Sequence, residues 1–364
     1  MHSKNQTASI NKTMTEKKPK PASVLRKFII ALAVIIVVSL IATGVFYYLR
    51  LWGPNVTGKE EYLYIRTGST FNDVYNEISE KHIVNDSTSF KWAAYNMHYI
   101  NNVKPGRYRL HEGMSNRKLI SILRLGLQEP VVIAIKNIRL KEDFAGFMGK
   151  KVEADSTSLI NLMDSAAYVN QFGFTPENVY TVVLPNTYQF KWNGSARKVF
   201  SKLYAEYQKF WTPERRLKAS EMKLDPIKVT ILASIVDAEA LHDSEMPIIA
   251  GLYLNRMKKG IKLEADPTVI FALHDFTIHR VLKQQLATNS PYNTYAHTGL
   301  PPGPIMMPSL NAINAVLDYQ HNDYIYMCAK PDFSGYTNFT SSLAQHQINA
   351  HAFQEALNKR KIER

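Results

Sequence analysis

The stretch ILASIVDAEALHD, Ile231 to Asp243, places two acids, Asp237 and Glu239, where an apolar helical segment should be completing its buried face. On a helix, residues three, four and seven apart share a side. Glu239 therefore falls with Leu232, Ile235 and Val236, and Asp237 lies about 200° away, with Thr230 and Ala233. The two carboxylates do not point at one bond. A carboxyl held among apolar side chains is poorly solvated, so its charged form is disfavoured and its pKa rises, as a general acid near neutrality requires. Spacing alone leaves open a Glu239 that pairs with a lysine or caps another helix. Asp237, with His242, Asp243 and Glu245, reads as a solvated helix end. Upstream, Asp225 and Pro226 predict the cap and first residue of this helix.

Two further clusters follow. In LEADPTVIFALHD, residues 263–275, Asp266-Pro267-Thr268 predicts a loop entering a helix, with Asp266 as its cap. SPYNTYAHTGLPPGPIMMPS, residues 290–309, joins tyrosines, an asparagine and threonines to a stiff Gly-Leu-Pro-Pro-Gly turn. Rings and hydroxyl or amide groups in a rigid loop suit a sugar. Residues 324–351 predict strand, turn at Ser334-Gly335, strand, and a helix from near Ser341 that carries His346.

The 364 residues suffice for two or three folded units. The net charge is +13, and residues 1–27 hold seven Lys/Arg against Glu16, so nearly half of it belongs to a basic, disordered-looking leader. Such a balance does not by itself argue for nucleic acid, and no nucleic-acid partner is expected. FIIALAVIIVVSLIATGVFYYL, Phe28 to Leu49, carries no charge and is long enough to cross ~30 Å of hydrocarbon. Basic residues before it and Tyr47, Tyr48 and Trp52 at its far end predict an uncleaved anchor with a cytoplasmic N-terminus and an exported remainder. Residues 60–128 read as a small β-α-α-β unit of LysM-like order, with a helix opening after Thr70 and another capped by Ser115. Strand VVIAIKNI opens a larger region over 130–360, whose first part, 130–215, is otherwise mostly helical. Pro185-Asn186-Thr187-Tyr188 reads as a turn, and a helix follows from about Ser195. The single cysteine, Cys328, excludes an intramolecular disulfide and reads as a small buried apolar residue. His274, His279 and His297 lack helical ligand spacing, and nucleotide or serine-hydrolase motifs are missing. Neither metal nor cofactor is expected.

Four blocks in order, LASIVDAEA, AGLYLNRMKKGIKLEADPTVIFAL, YNTYAHTGLPPGPI and TNFTSSLAQH, resemble the YceG-like family of endolytic murein transglycosylases. The resemblance reaches upstream through LPNTYQF to the LysM-like region and the anchor. It implies an α+β chain: one transmembrane helix, a LysM-like module and a mixed catalytic domain with the acid on a helix. That acid falls on Glu239. Asp266, Thr268, Tyr292, Asn293, Tyr295, Asn338 and His346 would line a glycan groove. The family's usual Glu is Asp237 here, its Gln-Thr-Asp-Pro-Thr is Glu264-Ala265-Asp266-Pro267-Thr268, and its Pro-Asp-Thr-Tyr is Pro185-Asn186-Thr187-Tyr188. These departures suit a divergent, Bacteroidetes-type member. Glu264, if close, would raise the Glu239 pKa further. The implied reaction cleaves the MurNAc-β-1,4-GlcNAc bond within peptidoglycan strands and leaves a 1,6-anhydro end. The implied partners are glycan strands, the inner membrane and peptidoglycan synthases (penicillin-binding proteins), and the implied location is the inner membrane with an extracytoplasmic catalytic domain. The alternatives are a non-catalytic peptidoglycan-binding scaffold and a hydrolytic muramidase that uses Glu264 or Asp266 as second carboxylate.

Overall fold

The computed structural model describes residues 21–278 and 280–360. Most of the basic leader, and His279, lie outside the described residues. The chain divides into two compact units. The first contains helix α1 (Pro21–Trp52) and a small domain drawn from residues up to Leu127. The second takes residues 64–68, 105–107 and everything from Gln128.

Helix α1 includes the apolar run, and its stretch Val24–Trp52 is long and apolar enough to cross a membrane. The small domain runs β1 (Tyr62–Ile65), α2 (Phe71–Glu80), α3 (Ser87–Asn96), β2 (Gly106–Arg109) and α4 (Asn116–Leu125), with β1 and β2 paired. Local chemistry sets these boundaries. The Thr70 hydroxyl accepts from Asp73 N and the Asp73 carboxylate accepts from Thr70 N across the first turn of α2, a capping box. Asp86 caps α3 and Ser115 caps α4 through their side-chain oxygens. Phe71, Val74 and Ile78 bury one face of α2, and Leu119, Ile120 and Leu123 one face of α4.

The second unit begins with β3 (Val131–Ile135), which pairs antiparallel with β4 (Asn186–Phe190). The expected turn at 185–188 is therefore corrected: Asn186 to Tyr188 belong to a strand. Tyr188 and Phe190 alternate inward, and both are buried. Helices α5 (Lys141–Gly149), α6 (Ser156–Asp164) and α7 (Ala166–Val169) lie between these strands in sequence. Helices α8 (Ala196–Phe210), capped by Ser195, and α9 (Pro213–Glu221) follow. Helix α10 (Pro226–Glu239) runs through the core. The Asp225 carboxylate accepts from Lys228 N at 2.8 Å, and Pro226 occupies the first turn.

Every residue of α10 from Val229 to Val236 is buried. The helix is covered on all sides, so the one-faced burial expected from the sequence does not hold. Helices α11 (Met246–Lys258), α12 (Asp266–Leu273) and α13 (Leu310–Leu317) pack around it. The proline-rich loop before α13 is pinned to α10: Ser234 Oγ donates to the Ile231 carbonyl and accepts from Ile305 N at 3.1 Å. Gly303 in that loop admits no side chain, because a Cβ there would fall 2.0 Å from the Glu177 carbonyl oxygen. The antiparallel pair β5 (Tyr326–Ala329) and β6 (Thr337–Thr340), followed by α14 (Leu343–Lys359) with Ser342 as cap, closes the chain. Cys328 lies in β5 and is half-buried, not enclosed as expected.

Candidate active site

The two acids of the opening stretch have different partners. Asp237 Oδ2 accepts from Ser309 N at 2.8 Å, and Oδ1 from Ser309 Oγ at 3.0 Å. Ser309 is the cap of α13, so Asp237 fastens α13 to the end of α10. The neighbouring acids also brace loops. Asp243 accepts from the Asn311 amide at 2.7 Å, and buried Glu245 accepts from Thr337 N at 2.9 Å. His242 contacts the Ser334 carbonyl at 3.0 Å and stacks on Tyr336. The expected solvated helix end is in fact a junction.

Glu239, the last residue of α10, is free of such duty. By accessible area it is half-buried, yet protein atoms crowd its carboxyl. Burial foremost, and then the Asp266 carboxylate, push its pKa up to about 7, against the Tyr253 hydroxyl, which donates to Oε1 at 3.3 Å. Tyr253, on α11, is fully enclosed. Its own pKa is held well above the tyrosine range by burial and by Glu239.

One turn along α11, buried Arg256 fixes the next layer. Its Nε donates to the Lys262 carbonyl and Nη1 to the Ile325 carbonyl, each at 2.7 Å, and Nη2 pairs with the Glu264 carboxylate. Glu264 sits in the left-handed region, φ 54°. Its charge is taken up by Arg256. The carboxylate that raises Glu239 belongs to Asp266, two residues on. Asp266 does not cap α12 as expected: it is the first helical residue, and its Oδ1 accepts from the Tyr295 hydroxyl at 2.6 Å. Burial and that bond, with the charges of Asp266, Glu239 and Glu264, keep Tyr295 protonated. His346 on α14 stacks on Tyr326. Burial and Arg256 lower its pKa, and Glu264 opposes them. Its Nδ1 is buried without a hydrogen-bond partner among the described residues.

Glu239, Asp266, Tyr295 and His346 are thus brought into one electrostatically linked cluster with Tyr253, Arg256 and Glu264. Thr268 and Asn293 do not face a groove. Both are buried. Thr268 Oγ1 donates to the Ala265 carbonyl and meets Thr294 Oγ1 at 2.8 Å. The Asn293 amide donates to the Leu286 and Thr288 carbonyls, and its oxygen accepts from Tyr295 N. The expected binding role is corrected: these side chains hold the loops that carry Asp266 and Tyr295, because buried polar groups must find internal partners. Tyr292 packs on Phe271 and lines a separate cleft of about 210 Å³ with Arg139, Glu177 and His274. That cleft includes the C-terminal end of α12, and Asp266 marks the N-terminal end, ~12 Å away along eight residues. Burial pushes the Tyr292 pKa up to about 12. Asn338 is half-buried in β6, opposite Cys328. Sequence reasoning missed Tyr253 and Arg256. The usable signal was their spacing of three, which puts a phenol and a guanidinium on one side of a mostly apolar helix.

A model of the YceG-like family matches residues 63–352. An endolytic murein transglycosylase of Bacillus subtilis is 25% identical over 299 residues, which cover 78% of this chain and 81% of that relative. One from Streptococcus pneumoniae serotype 2 is 25% identical over 304 residues, 73% of this chain and 53% of the relative. The crystal structure of a YceG-like protein from Listeria monocytogenes matches with a TM-score of 0.51 at 24% identity, over 79% of this chain and 98% of that one. That likeness shows a shared fold.

Proposed function

This chain belongs to the YceG-like family, and we propose that it is an endolytic murein transglycosylase anchored in the inner membrane by α1, with Glu239 as its catalytic acid. The observation that carries the reading is the environment of Glu239: a crowded carboxyl with a pKa near neutrality beside an aspartate and a buried phenol. A carboxyl half-protonated near pH 7 can give a proton and take one back, which a transglycosylase asks of a single residue.

In the proposed reaction Glu239 protonates the glycosidic oxygen as the bond from the muramyl anomeric carbon breaks. Its carboxylate then removes the proton of the muramyl 6-hydroxyl, whose oxygen attacks that carbon and closes the 1,6-anhydro ring. No water is consumed, so no second carboxylate has to activate one. Asp266, held by Tyr295, supports the build-up of positive charge at the sugar carbon and keeps Glu239 protonated at rest. Tyr253 positions the Glu239 carboxyl. His346 offers a ring nitrogen to a sugar hydroxyl. The small domain, with its β-α-α-β order, serves as the LysM-like module of residues 60–128, and residues 130–360 serve as the catalytic domain. The N-terminus lies in the cytoplasm and the catalytic domain outside, where peptidoglycan synthases are fitting partners.

A hydrolytic reading has one observation in its favour, the proximity of Asp266 to Glu239. The products separate the two. Full-length wild type and Glu239→Gln are incubated with purified peptidoglycan and the fragments weighed by mass spectrometry. Anhydro-muramyl ends from wild type alone are expected. New reducing ends would make the enzyme a hydrolase, and no cleavage by wild type would leave a binding scaffold.

A further inference from the structure

The small domain is fastened directly to the end of α1. The Asn116 amide donates to the Arg50 carbonyl at 2.9 Å, and the Asn55 amide to Asn116 Oδ1 at 2.8 Å. Asn55 N and Val56 N both donate to the Met114 carbonyl. Asn55 and Asn116 are buried. Only Gly53 and Pro54 separate the last helical residue from this network, so the domain has no free tether. A second contact reaches further back along the helix. Trp92 of α3 meets Phe46 edge-on at 5.9 Å and Tyr47 at 5.1 Å between ring centres.

Those two residues have a defined depth if α1 crosses a bilayer. Arg26 and Lys27 set one hydrocarbon edge at Phe28. About 20 residues at ~1.5 Å each cover the ~30 Å core, which brings the other edge to about Tyr47. A side chain that touches Phe46 and Tyr47 therefore lies at the boundary between hydrocarbon and headgroups, where the amphipathic indole is favoured. Two cations are held at and just beyond this level, on the headgroup side. The Arg50 guanidinium lies 4.3 Å from the Phe46 ring centre and 5.5 Å from that of Trp92, and Arg117 lies 5.2 Å from that of Trp52. Lys91 and Lys118, next in sequence to Trp92 and Arg117, are exposed, and the Lys91 ammonium lies over the Tyr75 ring.

We propose that the small domain is seated in the membrane interface through Trp92, with Arg50 and Arg117 against lipid phosphates, so that the partner of this face is the phospholipid headgroup layer. The proposal rests on α1 being a membrane anchor. It gives the small domain a fixed address: any glycan it meets is met at the membrane surface, where new strands emerge.

The test uses the full chain in vesicles of phosphatidylethanolamine and phosphatidylglycerol whose acyl chains carry bromine near the headgroup. Tryptophan quenching is compared between wild type and Trp92→Phe. Loss of the Trp92 share, leaving that of Trp52, is expected, and equal quenching in both would overturn the seat. A nitroxide on Lys91→Cys, in a Cys328→Ser background, gives a second reading that leaves Trp92 in place. Nickel-chelating lipid headgroups should relax its signal, and an unrelaxed signal would also overturn the seat. Alkaline carbonate distinguishes the premise. Release of the chain would remove the anchor itself, whereas retention with unchanged quenching and relaxation would remove only the interfacial seat.

Discussion

At the scale of single residues, Glu239 is controlled by two neighbours that act in opposite directions. Tyr253 donates to the charged carboxylate and so favours it, while the charge of Asp266 disfavours it. In the proposed reaction the acid form of Glu239 is the active one at rest, and that form is lost as pH rises through about 7. Tyr253→Phe should therefore move the alkaline limb of the activity profile upward in pH, and Asp266→Asn should move it downward. Shifts in the same direction, read from initial rates across pH 5–9, would contradict the assignment.

The same carboxyl has a cost for stability. Its folded pKa exceeds the unfolded value of 4.5, so the native state holds the extra proton and stability falls as pH rises between 4.5 and about 7. The full loss above that window is about 3 kcal/mol. Glu239→Gln cannot ionise. It should unfold at higher denaturant concentration than wild type at pH 8 and at nearly the same concentration at pH 4, while losing activity.

At the scale of elements, the site depends on polar side chains that staple one helix or loop to another. Asp237 holds the cap of α13 through two hydrogen bonds. Asp237→Ala leaves Ser309 N and Oγ without their acceptor and should cost about 1–3 kcal/mol of stability in denaturant melts. Gly303 is the sharper case, because a methyl there meets the Glu177 backbone at 2.0 Å. Gly303→Ala should force the proline-rich loop away from the Glu177 backbone and lower the melting temperature more than Gly299→Ala, where a Cβ meets nothing within 4 Å but the backbone is strained at φ 81°. Thr268 shows why a motif position and a binding position differ. The sequence block that contains it suggested substrate contact, but the hydroxyl is spent on Ala265 and Thr294 inside the protein.

At the scale of the whole molecule, α1 and the cluster belong to different compact units. Removing residues 1–50 should release the protein from membranes in fractionation, and Glu239→Gln should leave it there.

Much of the fold was legible locally. Thr70, Asp86, Ser115, Ser195, Asp225, Ser309 and Ser342 each cap the helix that follows them, because a cap is a contract between residues three apart. The uncharged run from Phe28 declares its helix by composition alone. The misread strand at Asn186–Phe190 shows the limit: its hydrogen bonds go to Val131–Ile135, some 55 residues earlier, and nothing nearby announces them. The site was legible as a list of blocks and as one glutamate.

What the sequence by itself determined is where helices begin, which segment can cross a membrane, and that Glu239 stands at the end of an apolar helix. What only the tertiary structure decided is the partner each acid meets. Helix α10 is buried on every side, so periodicity cannot rank its carboxyls. Asp237 is occupied by Ser309, 72 residues on, and Glu239 faces Tyr253, 14 residues on. Caps and apolar runs are settled within a few residues of chain, whereas the charge and solvation around a carboxyl come from whichever distant elements the packed core brings beside it.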